Sequence, residues 1–373
     1  MTLAANQWLD RIRSLPLERR VKIMNVCGGH ERSITMAGLR SALPACIELI
    51  PGPGCPVCIC PEEDVYEAIQ LALNEDIILV AFGDMLRVPV NVKKCNTRTL
   101  AEAKALGADI RPIASPTEAV LIAKNHPEKP VVFFAAGFET TTAPVAAMLV
   151  EGVPDNLSVL LSGRLTWPAV AMLLESGDAG FDALIAPGHV ATVMGPEEWQ
   201  FVVDQHKMPA AIAGFTTESL LAAMYSVLRQ LIDNRHFLDN CYPELVREGG
   251  NPSARKQLMK AFEVRDANWR GIGSIINSGY VIRDEYNQHD ARRQFPSYAD
   301  DARKRAGEMP PGCDCAGVVL GKIYPNECRL YGTACVPRNP IGPCMVSDEG
   351  ACRIWWANGM RDPAGPKRKQ ASG

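Results

Sequence analysis

The chain has 373 residues, 47% of them hydrophobic, with a formal net charge of −3 and a pI near 6.1. That length suits two or three domains with ordinary buried cores. The charge balance does not suit a surface built for nucleic acid or an acidic membrane, and the apolar runs are far shorter than a membrane span.

At the N-terminus Asp10, Arg11 and Arg13 interrupt the stretch where a secretory signal would need its apolar core. A cytoplasmic location is therefore expected, where thiols stay reduced. The thirteen cysteines are also odd in number, so metal and redox chemistry is expected of them rather than a disulfide framework.

In chain order, strands are predicted at Val21–Val26, Ile47–Ile50, Ile77–Phe82, Val131–Ala136, Leu157–Leu161, Ala183–Ala186 and Ala210–Ala213. Most are continuous apolar runs, the pattern of strands covered on both faces. Between them Glu63–Asn74, Thr117–Lys124, Ala143–Val150 and Leu220–Ile232 repeat apolar residues at helical spacing. Alternating strands and helices imply α/β lobes with parallel sheets. VVFFAAGFETT at 131–141 and AAIAGFTTE at 210–218 echo one another as strand, Gly-Phe, Thr and helix, with the threonines as candidate N-caps. The expected division is one lobe over 1–125, a second over 126–240 and a helical, loop-rich part over 241–373. Asn251–Val264 reads as helical, strand signals fade after Trp269, and Pro363–Gly373 reads as a flexible end carrying the basic Lys367, Arg368 and Lys369.

The C-terminal part holds Cys313, Cys315, Cys328, Cys335, Cys344 and Cys352. Thiols this dense in a reducing compartment serve a soft metal centre, and a module this small needs one to stay folded. Zinc sites favour paired C-x-x-C knuckles, which are absent here. The spacing C-x12-C-x6-C-x16-C over Cys315, Cys328, Cys335 and Cys352 favours a [4Fe–4S] cluster. Cys313 and Cys344 are either outer cysteines or incidental neighbours.

A second constellation lies at strand ends. Cys27-Gly28-Gly29-His30 follows the first strand, and Gly52-Pro53-Gly54-Cys55-Pro56-Val57-Cys58 follows the second. Ligands of open parallel sheets bind at that edge, and helix N-termini there favour thiolates. Cys55 and Cys58 form a C-x-x-C, open between a metal pair and a redox dithiol; Cys60 adds a third thiol and Cys27 stands beside His30. Asp84, Glu139 and His189 follow other strands and are candidate acids, bases or orienting groups, against the plainer reading of caps and turn residues. Cys46, Cys95 and Cys241 have no companion motif and read as packing residues. No phosphate-cradling loop is present.

Taken in order, CGGH at 27–30, GPGCPVC at 52–58, FGDMLRVP at 82–89, GFETT at 137–141, APGHV at 186–190 and the four spaced cysteines resemble the HypD family of [NiFe]-hydrogenase maturation proteins over nearly the whole chain. The resemblance implies two similar α/β lobes, a third part bearing a [4Fe–4S] cluster on Cys315, Cys328, Cys335 and Cys352, and iron and redox chemistry at Cys27, Cys55 and Cys58. It implies His30 and Glu139 as lining of the cleft. It further implies a scaffold for Fe(CN)2CO shared with a HypC-type chaperone, with cyanide delivered by a HypE-type donor that obtains it through HypF. Cys60 with Glu62 and Glu63, Val90, and Thr216-Thr217-Glu218 depart from the family pattern and touch the cleft. Two other readings use the same residues: a cluster-dependent disulfide reductase acting through Cys55 and Cys58, and a zinc-stabilised binding module without redox chemistry.

Overall fold

The computed structural model describes residues 3–361 apart from 94, 178 and 308. The expectation for Pro363–Gly373 lies outside the described residues. Eleven strands are assigned among the described residues, in two sheets. They are β1 (Val21–Cys27), β2 (Ile47–Gly54), β3 (Ile78–Phe82), β4 (Ile110–Ile113), β5 (Val131–Gly137), β6 (Leu157–Arg164), β7 (Ala183–Pro187), β8 (Ala210–Ala213), β9 (Leu238–Asn240), β10 (Phe262–Trp269) and β11 (Gly273–Ile282).

The first sheet has the order β2-β1-β7-β8-β9 and is parallel throughout. The second has the order β10-β11-β6-β5-β3-β4, parallel except for the β10–β11 hairpin at one edge. All seven predicted strands are present. Strands β5 and β6 are buried along their whole length, as continuous apolar runs require.

The strands are not shared between the sheets as 1–125 and 126–240 would divide them. β1 pairs with β2 on one side and with β7 on the other, so the first sheet is completed by chain from beyond residue 180, while β3 to β6 lie in the second sheet. A contiguous division ignores the crossing of the chain between sheets, which apolar runs do not encode.

The hairpin is the second correction. The helix after residue 251 ends at Ala261, and Val264 belongs to β10. β10 alternates little and exposes most of its middle, because an edge strand covers the sheet on one side only. Its composition therefore resembles loop. The threonine caps divide as well. Thr216 accepts from the Ser219 N–H at 3.2 Å, whereas the helix Glu139–Glu151 begins on Phe138 without a side-chain cap.

The C-terminal part has little regular structure. Cys315–Val319 is a helix of one turn, Pro325–Glu327 and Pro343–Met345 are 3-10 turns, and Ala351–Ala357 is a two-turn helix. Its buried cysteines share one continuous core with Cys55, Cys58 and Cys60.

Candidate functional site

Cys27 ends β1 and opens the helix Gly28–Met36. Register places it opposite Gly54 of β2, which in turn places Cys55 beside it. The approach demands glycine: a Cβ on Gly54 would lie 1.9 Å from the Val26 carbonyl oxygen. The Cys27 sulfur receives the backbone N–H groups of Gly29 and His30, yet burial pushes its pKa up to about 12, with Glu349 adding to the rise. Without a cation it is a thiol; a bound metal would release its proton. Cys55 caps the short helix Pro56–Ile59, its sulfur accepts from the Cys58 N–H at 3.2 Å, and Cys55 and Cys58 are joined as a disulfide.

A narrow gap of about 10 Å³ lies between these strand ends and the C-terminal part. Cys27, Cys55 and Cys58 line it from one side, Cys344 and Glu349 from the other. Gly28 makes the contact possible, since a Cβ there would meet the Glu349 carbonyl oxygen at 2.5 Å. The contact is fastened by Glu31. It accepts from Asn25 Nδ2 at 3.0 Å, from Arg40 Nη2 at 2.7 Å and from Trp355 Nε1 at 2.7 Å.

The other site candidates fall elsewhere. His30 is fully buried; its Nε2 lies 2.9 Å from the Ala213 carbonyl oxygen and therefore carries the proton, leaving Nδ1 without a partner. Burial drives its pKa down to about 4, so the ring is neutral. His189 meets the same aromatic group, with ring centroids 4.2 Å from Phe215, which also packs on His30. Partial burial lowers the His189 pKa.

Glu139 sits apart from that gap. Its Oε1 accepts from the Thr166 N–H at 2.6 Å and its Oε2 from the Thr166 hydroxyl at 2.7 Å. Burial lifts its pKa to about 7. Glu198, whose buried Oε2 has no partner, is raised well above a normal carboxylate by burial and then by Glu139. Each carboxylate disfavours ionisation of the other. Asp84 is exposed on the 3-10 turn after β3. Cys60 is a buried thiol 3.4 Å from the Ser162 hydroxyl, raised to about 12 by burial.

In the C-terminal part Cys315, Cys328, Cys335, Cys344 and Cys352 are buried and Cys313 is partly so. The sulfurs of Cys313 and Cys315 are 3.3 Å apart, and Cys315, Cys344 and Cys352 interact thiol to thiol. Cys335 sulfur accepts from the Ile341 N–H at 3.4 Å. Gly342 sits over these sulfurs: a Cβ would come within 2.4 Å of Cys313 and 2.5 Å of Cys315. Contacts among these thiols and their burial hold Cys315, Cys344 and Cys352 well above an ordinary cysteine. Among the described residues no three His, Cys, Asp or Glu side chains are gathered tightly enough for a single metal ion. Sequence reasoning missed Glu31, Glu198, Phe215 and Glu349. Only Phe215 left a signal, in the repeated Gly-Phe.

Fold and site together define a two-sheet α/β protein with a thiol-bearing strand edge capped by a cysteine-rich C-terminal part. The HypD family model, described as the hydrogenase formation hypA family, matches residues 3–359. The chain belongs to the HypD family. It is 38% identical over 348 residues to hydrogenase maturation factor HypD2 of Bradyrhizobium diazoefficiens, covering 91% of this chain and 89% of that protein. HypD of Azotobacter vinelandii is 38% identical over 356 residues, 93% of this chain and 92% of that one. HypD of Cupriavidus necator is 36% identical over 351 residues, 91% of this chain and 90% of that one. No helix among the described residues is long and apolar enough to cross a membrane.

Proposed function

We propose that this protein is a hydrogenase maturation factor that works in the cytoplasm as the scaffold on which Fe(CN)2CO is assembled, together with a HypC-type chaperone and a HypE-type cyanide donor. The observation that carries the reading is the gap shared by Cys27, Cys55, Cys58, Cys344 and Glu349, where strand-end thiols meet the cysteine-rich part. Soft sulfur donors suit iron(II) bearing cyanide and CO. Cys27, with Cys55 and Cys58 in their dithiol form, would hold the iron cargo. Backbone N–H groups already aimed at Cys27 sulfur would stabilise it as thiolate once its proton has left.

Cys315, Cys328, Cys335 and Cys352 would hold a [4Fe–4S] cluster. The donor set fits in kind: Cys315, Cys328, Cys335 and Cys352 are soft thiols buried in one shared core. Such a cluster would supply electrons singly. The Cys55–Cys58 disulfide takes up two electrons and two protons to become two thiols. Glu139 and His189 act as secondary groups of the cleft in this reading: Glu139 can hold a proton near neutrality, and neutral His30 and His189 present an aromatic wall.

Infrared spectroscopy of anaerobically purified protein, co-expressed with its small chaperone, tests the scaffold. Bound CN and CO bands are expected, and Cys27→Ala should remove them; bands of full strength in that variant overturn the role of Cys27. The disulfide-reductase reading draws on the disulfide itself and its shared core with the C-terminal thiols. It wins if the CN and CO window is silent while the Cys55–Cys58 pair titrates as a two-electron couple.

A further inference from the structure

The two sheets have four edges among the described residues, and three of them are blunted. β9 has three residues, β4 has four with Pro112 among them, and β2 carries Pro51 and Pro53. Proline cannot donate to a ladder and a short strand offers little to pair with, so such edges resist a further strand. β10 is the exception. It runs eight residues, Phe262–Trp269, without proline, glycine or lysine. No strand among the described residues pairs with its outer side.

The β10–β11 ladder fixes which groups face outward. The Arg283 N–H donates to the Ala261 carbonyl at 2.9 Å. Antiparallel bonding alternates from there, so Glu263 and Arg265 direct their backbone groups at Val281 and Gly279 of β11. Val264, between them, directs its N–H and C=O away from the sheet. Neither group has a partner among the described residues. The Val264 side chain is 40% exposed. Glu263 and Arg265 share the other face of the strand and form an exposed ion pair, Arg265 Nη2 to Glu263 Oε1 at 2.6 Å.

An open edge of this kind takes another strand, and the charges select which one. A second β10 related by a two-fold axis runs antiparallel to the first. With the axis at Val264, the two Val264 residues exchange both of their outward hydrogen bonds and set their side chains together. Glu263 of each copy then stands opposite Arg265 of the other, twice over. An axis at Glu263 would set two carboxylates against each other, and an axis at Arg265 two guanidiniums. Like charges directly opposite are destabilising and opposite ones favourable, so one register is selected. A strand from an unrelated protein would have no need of this self-complementarity.

We propose that the outer edge of β10 is a self-association surface, on which a second copy of this chain adds its own β10 antiparallel with Val264 on the two-fold axis. Two second sheets then become one continuous sheet across the axis. Cys27 and Cys55 stand at strand ends of the other sheet, so the pairing does not engage them. The inference is therefore independent of the iron chemistry assigned above. Two ladder bonds and two exposed ion pairs make a weak association that salt opposes.

The test is sedimentation velocity of the purified full-length chain over a dilution series, for wild type, Glu263→Arg, Arg265→Glu and the double exchange. Wild type should pass from monomer to dimer as concentration rises, and less readily in high salt. Each single exchange opposes like charges at two places and should weaken dimerisation by about tenfold or more. The double exchange should restore it. So should an equimolar mixture of the two single variants, in which opposite charges face each other again. Wild type that stays monomeric throughout overturns the proposal. So do single variants that associate as well as wild type, since the dimer then uses another surface, and so does a mixture that fails to recover. Amide exchange at Val264 gives a separate reading. It should slow as concentration rises; slow exchange that is independent of concentration would show the edge covered within one chain, and overturns the proposal as well.

Discussion

The two groups of thiols are held in different ways. Cys27 and Cys55 stand at the ends of paired parallel strands, and the register Cys27↔Gly54 fixes their separation through backbone hydrogen bonds. The six C-terminal cysteines ride on single turns, short bridges, loops and, for Cys352, a two-turn helix, with no extended ladder between them. The first group is positioned by the fold before any metal arrives; the second depends on its own sulfurs and on docking against the first lobe. Metal-dependent order should therefore be confined to one of them. In metal-free protein, amide hydrogen exchange should be fast across 313–350 and slow across 21–54. Equal protection in both would erase the distinction.

The largest substitution effect should come from the strand edge. In Gly54→Ala the new Cβ meets the Val26 carbonyl oxygen at 1.9 Å and the Cys27 Cα at 2.7 Å, and backbone in a ladder cannot step aside. The expected cost is at or above the upper end of the about 1–3 kcal/mol typical of overpacking, read by denaturant unfolding. Gly83→Ala, with nothing within 4 Å of its Cβ, is the control and should change little. Gly342→Ala should act differently: its clash is with the sulfurs of Cys313 and Cys315, so iron content should fall while the two sheets remain folded.

Next in size is the joint between the regions. Glu31→Ala removes the acceptor shared by Arg40 Nη2 and Trp355 Nε1, and leaves both donors without it. A loss of about 2–4 kcal/mol is expected, since breaking one partner of a mostly buried pair costs more than the pair contributes. Trp355 reports it directly: its fluorescence should change on substitution. An unchanged spectrum would mean that the C-terminal part docks without Glu31.

The sequence was informative wherever the physics was local. Seven strands were legible because β1, β5 and their neighbours are buried on both faces and so write themselves as apolar runs. Cys27, Cys55 and Cys58 were legible because glycines and strand ends mark them. β10 was not, because an edge strand is half polar. Nor was the pairing of β1 with β7, which joins residues more than 150 positions apart through backbone atoms alone. Glu139 and His189 show the same limit within the site. Their positions after strands were visible, but the partners they meet were not: Glu139 with Thr166 and Glu198, His189 with Phe215 and Tyr242. Which neighbours a strand-end residue meets depends on the sheet order, and a single sequence does not state that order.

The smallest expected effect divides the two lobes by the sign of their proton linkage. Glu139 is raised to about 7 by burial, so the native state binds its proton more tightly than the unfolded chain does. Its contribution to stability is present below about pH 4.5 and is lost as pH rises through 7, by at most about 3 kcal/mol. His30 is lowered to about 4 by burial, so its contribution is present above about pH 6.5 and is lost as pH falls through 4, by a similar amount. Burial raises other carboxyls as well, Glu198 among them, so the whole-protein curve does not isolate either group. Difference curves do. The stability of Glu139→Gln minus wild type should rise between pH 4.5 and 7, because the amide removes a carboxyl that resists ionisation. That of His30→Gln minus wild type should fall between pH 4 and 6.5, because the amide keeps a donor for the Ala213 carbonyl without a ring that must charge in acid. Slopes of the same sign would show that one of the two groups is not buried as described. Because Glu139 is coupled to Glu198, a Glu139→Gln slope that is shallow but positive would place the shared proton mainly on Glu198.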